Sequence, residues 1–203
     1  SRQALGKIQN SKLLEKWLPV DVYVGGAEHA TRHLIYARFW HKFLYDIGVL
    51  SAEEPFSRLH HVGLINGEDG RKMSKRYGNV INPDSIVEMV GADTLRLYEM
   101  FMGPFSDNIT WSTDGILGPR RFLERVWRCF CERDAKLQIH ANDTNNTNLD
   151  KLLHKTIKKV TEDIEEFRFN TAVSALMIFF NEVESAMQNL RIHANAAKNI
   201  LEV

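Results

Sequence analysis

The sequence predicts an α/β domain with parallel strands, followed by an all-α antiparallel helical bundle. In the first half, short β-branched and aromatic runs alternate with helical patterns, and one strand pattern ends in a Gly-Gly pair just before a helix. After residue 115, apolar residues recur only at helical spacing. The hinge-like residues 111–115 separate the two patterns. We therefore predict two domains, residues 1–115 and residues 116–203.

Composition limits the classes of partner. The 203 residues carry 26 Lys and Arg against 26 Asp and Glu, so attraction to nucleic acid must come from local basic patches. We find no signal peptide and no apolar run long enough to span a bilayer, so we expect no membrane association. Cys129 and Cys131 would face different sides of a helix, which argues against a disulfide. Free thiols are typical of the reducing cytosol, and we expect a cytoplasmic protein.

The first strand and helix are predicted from residues 20–48. Residues 20–24 are β-branched and aromatic, and Gly25 and Gly26 end the strand. A helix from about Ala30 to Ile47 follows. Because this helix is apolar on most sides, we expect it to be buried against the sheet.

A ligand site is predicted where this strand meets its helix. In the order strand, Gly-Gly, helix, ligands bind at the carboxyl end of the strand and near the helix N-terminus. Glu28, His29 and His33 lie at that junction, and the two histidines, four residues apart, would share a helix face. They fit three interpretations: a zinc pair without a clear third ligand, structural histidines, or ligand contacts, which the position favours.

A second strand, residues 59–65, leads into a glycine-rich, charged segment that we call the lysine loop, residues 67–79. Lys72 and Lys75 flank Ser74 in this loop. Two ammonium groups and a hydroxyl suit a triphosphate, because positioned cations stabilise the charge on a leaving pyrophosphate. The alternative is a solvated basic loop, since such runs are usually exposed.

The remaining pattern is helical. Pro83 after Asn82 predicts the start of a short helix that Gly91 ends, and residues 93–102 form another. Three further helices, residues 116–138, 149–167 and 170–190, fit an antiparallel bundle. A stripe on the first of these helices and a basic face on the second are candidates for phosphate contacts, or else solvated faces; the side chains are Arg121, Arg125 and Arg128, and Lys151, Lys155, Lys158 and Lys159.

Three segments resemble a known family. Residues 72–75, Lys-Met-Ser-Lys, resemble the KMSKS signature of class I aminoacyl-tRNA synthetases, with Arg76 in place of the last serine. Residues 78–83 and 91–96 resemble the segments that come after that signature in the leucine, isoleucine, valine and methionine subgroup. Residues 25–39 resemble the GG-x-EHA-xx-HL-x-YARF segment of leucyl-tRNA synthetases.

The resemblance implies the second half of a Rossmann-like catalytic domain joined to an anticodon-binding helical bundle. It implies ATP-dependent activation of leucine to leucyl-adenylate and transfer to tRNA(Leu), with Mg²⁺ accompanying the ATP and no metal-ligand cluster in this chain. The catalytic residues it implies are Lys75, assisted by Lys72 and Ser74. The adenylate contacts it implies are Gly25, Gly26, Glu28, His29, His33 and Met73. The weaker adenine candidates Gly63, Leu64 and Ile65 fit an ordinary buried strand equally well.

The family's other signature, HIGH, has no match here, and the chain opens at Ser1 without a recognisable domain start. We therefore expect a fragment that is inactive alone and whose partners include the missing N-terminal half. One alternative is a non-catalytic module that binds tRNA or serves as half of a split synthetase. Another is a valyl-, isoleucyl- or methionyl-tRNA synthetase, against which the GG-x-EHA segment argues.

Overall fold

The computed structural model describes residues 11–131 and 147–201 and contains two compact units. One unit comprises the chain up to residue 65 together with residues 106–108, and the other comprises residues 66–105 and the chain from 109 onward. Parallel strands come first and a helical region follows, which confirms the predicted fold class. The boundary at residue 115 stays a prediction, and residues 132–138 of the predicted bundle lie outside the described residues.

The first unit is built on two parallel strands, β1 (Tyr23–Gly26) and β2 (Leu59–Val62). Helix α1 (Ser11–Trp17) precedes β1; a 3₁₀ turn (Ala27–Thr31) and helix α2 (His33–Asp46) follow it. Gly25 pairs with His61 and Gly26 with Val62, so both strands end at the same edge.

The expectation that α2 is buried is wrong. Of its side chains only Leu34 and His41 are buried, and His41 Nε2 lies 2.9 Å from the Ala52 carbonyl oxygen. Two short strands offer too little apolar surface to cover a helix that is apolar on most sides. One aromatic and aliphatic face is 45–69% exposed. We call it the α2 apolar face; it consists of Ile35, Tyr36, Phe39, Trp40 and Phe43.

The second unit begins where the short strand β3 (Ile65–Asn66) ends; β3 pairs with β4 (Ile109–Thr110). Helix α3 (Pro83–Val90) starts as predicted, because the Asn82 side chain caps it by accepting a hydrogen bond from the Asp84 amide at 3.1 Å. Gly91, with a φ of +86°, ends α3 and leads into α4 (Ala92–Phe101).

Three long helices complete the second unit: α5 (Leu117–Phe130), α6 (Thr147–Glu165) and α7 (Phe169–Leu201). The apolar core of the unit is drawn from α3, α4, α5, α7 and the segment before α5, and includes Ile86, Leu95, Tyr98, Trp111, Ile116, Val173 and Phe180. Within the described ranges, no helix combines the length and apolar character that a membrane crossing requires.

A buried carboxylate joins the end of α6 to the start of α7. Asp163 is fully buried; its Oδ2 accepts hydrogen bonds from Lys159 Nζ at 2.6 Å and Thr171 Oγ1 at 2.7 Å, and its Oδ1 accepts one from Arg168 Nε at 2.9 Å. Burial alone would raise the pKa of Asp163, but the hydrogen bonds from Lys159, Thr171 and Arg168 lower it to about 2.

Candidate functional site

The lysine loop is a compact turn closed by its own backbone. The Gly67 amide donates to the Arg71 carbonyl at 2.8 Å, and the Gly70 amide donates to the Gly67 carbonyl at 2.9 Å. Gly70 has a φ of +75°, a backbone conformation that residues with a Cβ atom rarely adopt. Asn66 and Lys72 form an antiparallel bridge. The loop therefore has a defined backbone conformation although it is glycine-rich.

Asn79 links three parts of this loop. Its Oδ1 accepts a hydrogen bond from the Ser74 amide at 2.8 Å. Its Nδ2 donates to the two carboxylate oxygens of Asp69 at 3.1 and 3.3 Å, and lies 3.4 Å from the Lys72 carbonyl oxygen. Neither Asn79 nor Asp69 is among the site residues predicted from the sequence. The signal that could have found Asn79 is the Gly78-Asn79 pair, which follows the resembled signature after Tyr77.

The ammonium groups of Lys72 and Lys75 are exposed, and neither takes part in an ion pair within the part of the chain that the structure describes. Between them, Met73 and Ser74 are half-buried, and the Ser74 hydroxyl accepts a hydrogen bond from the Arg76 amide at 3.3 Å. Two unpaired cations thus stand on one ordered turn, an arrangement suited to phosphate oxygens.

A second carboxylate anchors the front of the loop. Glu68 Oε1 accepts hydrogen bonds from the Thr113 hydroxyl at 2.6 Å and the Thr113 amide at 3.0 Å, and these lower the pKa of Glu68. The Thr113 hydroxyl also accepts a hydrogen bond from Trp111 Nε1 at 3.1 Å. Buried Tyr98 donates its hydroxyl proton to the Ser112 carbonyl at 2.8 Å and so holds the same segment. The loop is therefore tied to the segment that leads into α5.

The first unit brings its candidate residues to the carboxyl edge of β1 and β2. Glu28 folds back over Gly26, where a Cβ would overlap its carboxylate. His29 lies in the 3₁₀ turn and His33 begins α2, so the expectation that they share a face of one continuous helix is wrong. Their exposed rings still lie close, with centroids 6.2 Å apart in an edge-on arrangement. Among the described residues, no group of three or more His, Cys, Asp or Glu side chains could hold a metal ion.

Gly63 follows β2 at the same edge and is required there for steric reasons. A Cβ at this position would overlap the Asp107 carbonyl group. The next residue, Leu64, donates its amide hydrogen to Asn108 Oδ1 at 2.8 Å. Leu64 and Ile65 are half-buried. Contact of Gly63, Leu64 and Ile65 with adenine stays a prediction.

The three arginines of α5 differ in what they contact. Arg125 Nε donates to Glu184 Oε2 at 3.0 Å, its Nη2 contacts the same carboxylate and donates to Asn181 Oδ1 at 2.6 Å, and its guanidinium carbon lies 5.5 Å from the centroid of the Phe180 ring. Arg125 thus braces α5 against α7. Arg121 and Arg128 are exposed, and Arg128 Nε lies 3.4 Å from the Glu124 carbonyl oxygen, one turn earlier on the same helix. These two arginines can meet an anion without breaking a helix contact.

Two family models match the chain. Residues 3–112 match the model described as tRNA synthetases class I (I, L, M and V). Residues 146–201 match the model described as the anticodon-binding domain of tRNA ligase. The first match covers the candidate residues at the strand edge and the lysine loop, and the second covers α6 and α7.

Solved structures show the same similarity. The chain is 37% identical, with a TM-score of 0.74, to LeuRS of Agrobacterium radiobacter K84, whose structure is a ternary complex with tRNA and LeuAMS. The similarity covers 82% of this chain but 23% of that one. Two Mycobacterium tuberculosis methionyl-tRNA synthetase structures with methionyl-adenylate, at 16% and 17% identity and TM-scores of 0.61 and 0.64, show a shared fold alone. The similarity covers 87% and 90% of this chain, which spans 35% and 36% of those chains.

Proposed function

The chain belongs to the class I tRNA synthetases of the I, L, M and V group, and from this membership we propose that it supplies the phosphate-binding half of a leucine-activating site. The observation that carries the proposal is the ordered lysine loop with its two unpaired cations, Lys72 and Lys75. Class I synthetases are ligases that bind ATP or an aminoacyl-adenylate.

The proposed reaction has two steps. A carboxylate oxygen of leucine attacks the α-phosphorus of ATP, the bond to the leaving pyrophosphate breaks, and leucyl-adenylate forms. The terminal adenosine of tRNA(Leu) then takes the leucyl group, and AMP leaves. In the first step Lys75 and Lys72 neutralise the charge that develops on the pyrophosphate, and Ser74 donates a hydrogen bond to it.

Mg²⁺ enters this proposal with the nucleotide. The described residues form no cluster of three or more metal-ligating side chains. A Mg²⁺ ion bound by triphosphate oxygens needs only one or two protein carboxylates, and its charge would add to that of the lysines.

Leucine is the proposed amino acid for two reasons. Residues 25–39 carry the GG-x-EHA pattern that resembles leucyl-tRNA synthetases. The similar structure at 37% identity is a LeuRS, whereas the methionyl enzymes are similar only at the level of fold. We assign the contacts with the adenylate to Gly25, Gly26, Glu28, His29, His33 and Met73.

We further propose that a complementary half, in the same polypeptide or a second chain, completes the site. The α2 apolar face supports this, because contiguous exposed apolar patches of this kind mark interaction surfaces. The chain also spans about a quarter of the LeuRS chain that it matches. For tRNA, the exposed Arg121 and Arg128 are the proposed phosphate contacts, with Lys151 and Lys155 on α6 as further candidates. Lys158 and Lys159 instead pair with Glu162 and Asp163.

The test is ATP–pyrophosphate exchange with leucine, isoleucine, valine and methionine, measured on this chain with and without the complementary half. We expect leucine-dependent exchange only in the combination. Exchange with another of the four amino acids would reject leucine and keep the enzyme class. No exchange, with both halves folded and tRNA still bound, would favour the non-catalytic tRNA-binding module.

A further inference from the structure

We propose that Asn79 and Asp69 form a positioning pair that holds Lys72 and Lys75 where they meet the triphosphate, an inference that rests on the function proposed above. Neither residue needs to touch the substrate. Both residues act by fixing the backbone of the lysine loop, which in turn fixes the positions of the two ammonium groups.

The contacts of Asn79 support a role in closing the loop. Its single side chain joins the Asp69 carboxylate before the two lysines, the Lys72 carbonyl, and the Ser74 amide between them. Asn79 can do this because an amide group carries both a donor and an acceptor. No hydrophobic side chain could replace it, and an acid at this position would lose the donor that Asp69 requires.

The charge of Asp69 gives the pair a second effect. An unpaired carboxylate three residues from Lys72 would compete with phosphate oxygens for the lysine cations. Both of its oxygens instead accept hydrogen bonds from Asn79 Nδ2, and Oδ1 also accepts one from the Arg71 amide at 3.1 Å. The guanidinium of Arg71 adds a weak ion pair, with Nε 4.0 Å from Oδ2. Hydrogen bonds from Asn79 and the Arg71 amide lower the pKa of Asp69, so Asp69 stays ionised while it accepts the hydrogen bonds from Asn79. The pair therefore satisfies the nearest carboxylate and leaves Lys72 and Lys75 free.

The pair can be tested by exchanging its two partners. In Asn79→Asp two carboxylates face each other, and the loop should open. In the double variant Asp69→Asn with Asn79→Asp, the new amide at 69 can donate to the new carboxylate at 79. That carboxylate can still accept from the Ser74 amide, and the oxygen at 69 can still accept from the Arg71 amide. Two weak contacts are lost: the one to the Lys72 carbonyl, and the 4.0 Å ion pair between Arg71 Nε and Asp69 Oδ2. Net charge is the same as in the wild type.

Trypsin cleavage of the 203-residue chain measures whether the loop is closed, without any activity assay. The loop offers cleavage sites after Arg71, Lys72, Lys75 and Arg76. We expect severalfold faster cleavage within the loop for Asn79→Asp, wild-type rates for the double variant, and an unchanged melting temperature for both. Equal rates of loop cleavage in Asn79→Asp and the wild type would overturn the proposal that Asn79 and Asp69 hold the loop closed.

Pyrophosphate exchange in the combined halves then tests positioning. We expect Asn79→Asp to lower kcat by about 10²-fold, the loss typical of a misplaced catalytic group, and the double variant to recover most of it. Recovery at constant melting temperature would separate positioning from a stability effect. If the loop opens in Asn79→Asp but exchange keeps the wild-type rate, while Lys75→Ala slows exchange by about 10²-fold or more, the positioning role is wrong.

A different result would point to the proposed function itself. If the wild-type combination shows no exchange with any of the four amino acids, the positioning role is overturned together with the proposed function. The trypsin comparison would still decide whether Asn79 and Asp69 close the loop. The two failures are thus distinguishable.

Discussion

At the scale of single residues, the lysine loop and the α6–α7 turn use charge in opposite ways. Across residues 11–131 and 147–201, Lys72 and Lys75 form no ion pair, and the nearest carboxylate in sequence, Asp69, is occupied by Asn79 and Arg71. Asp163 is fully buried and holds Lys159 and Arg168. The first arrangement leaves cations available to a ligand, and the second uses cations to stabilise the fold.

Lys75 is expected to contribute to the chemical step. In the combined halves, Lys75→Ala should slow leucine-dependent pyrophosphate exchange by about 10² to 10³, the size typical of losing one positioned stabilising donor. Lys12→Ala, an exposed lysine on α1, is the matched control and should leave the rate unchanged. A Lys75→Ala rate within a few-fold of wild type would contradict the assignment.

Asp163 is expected to contribute to stability in a pH-dependent way. Asp163→Asn should lower the free energy of unfolding at pH 7 by about 3 kcal/mol, because it weakens three charge-assisted contacts. The folded-state pKa, about 2, is below the ordinary value of 3.8, so this stabilisation is full above about pH 4 and declines as the pH falls toward 2.

Denaturant titrations at pH 7, 4 and 3 measure this effect as the difference between wild type and Asp163→Asn. Glu162→Gln, which removes an exposed pair with Lys158, is the neighbouring control and should cost less than about 0.5 kcal/mol. A difference between wild type and Asp163→Asn that does not shrink on acidification would contradict the assignment.

At the scale of elements, α5 separates two roles along one helix. Arg125→Ala should lower the free energy of unfolding by about 2 kcal/mol, because Glu184 and Asn181 lose a charged partner. Arg121→Ala, one turn earlier and exposed, should change stability by no more than about 0.5 kcal/mol. It should instead weaken tRNA binding and reduce the salt dependence of that binding by about one phosphate contact. Denaturant titration measures the change in stability of each variant, and tRNA binding at several salt concentrations measures the change in affinity and in its salt dependence. A stability loss in Arg121→Ala equal to that in Arg125→Ala would contradict this division of roles.

The α2 apolar face makes a second prediction at this scale. Replacing Phe39 and Trp40 by serine should weaken association with the complementary half, because both side chains are more than half exposed and apolar. Ile178→Ser, an equally exposed residue on α7, is the control. Titration of one half with the other, followed by pyrophosphate exchange, measures the effect. Equal association of all three proteins would show that this face is not the contact.

At the scale of the whole molecule, the candidate residues are divided between two compact units. The adenylate candidates Gly25, Gly26, Glu28, His29 and His33 belong to one unit, and the lysine loop belongs to the other. We expect the isolated chain not to form leucyl-tRNA, since it lacks a match to HIGH and exposes an uncovered helix face. Aminoacylation of tRNA(Leu) by the purified chain alone would refute this.

Local sequence patterns were enough to predict the fold class and the chemistry of the lysine loop. Periodicity and turn residues predict parallel strands followed by helices, and the Asn82 cap and the end of α3 at Gly91 follow from local backbone preferences. Local patterns suffice for these features because the interactions that create them span only a few residues along the chain. Lys72 and Lys75 could be recognised as candidate phosphate ligands for the same reason, since they lie three residues apart in one loop.

Which side chains remain free depends on tertiary contacts. Arg121 and Arg125 look alike in the sequence, but the residues that bind Arg125 lie more than fifty positions away on α7. An apolar helix pattern predicts burial, yet the exposure of α2 depends on how much sheet surface the rest of the chain provides. The hydrogen bonds between Asn79 and Asp69 join residues ten positions apart in a loop that has no regular pattern. Each of these outcomes is set by contacts between distant residues, and local pattern does not encode them.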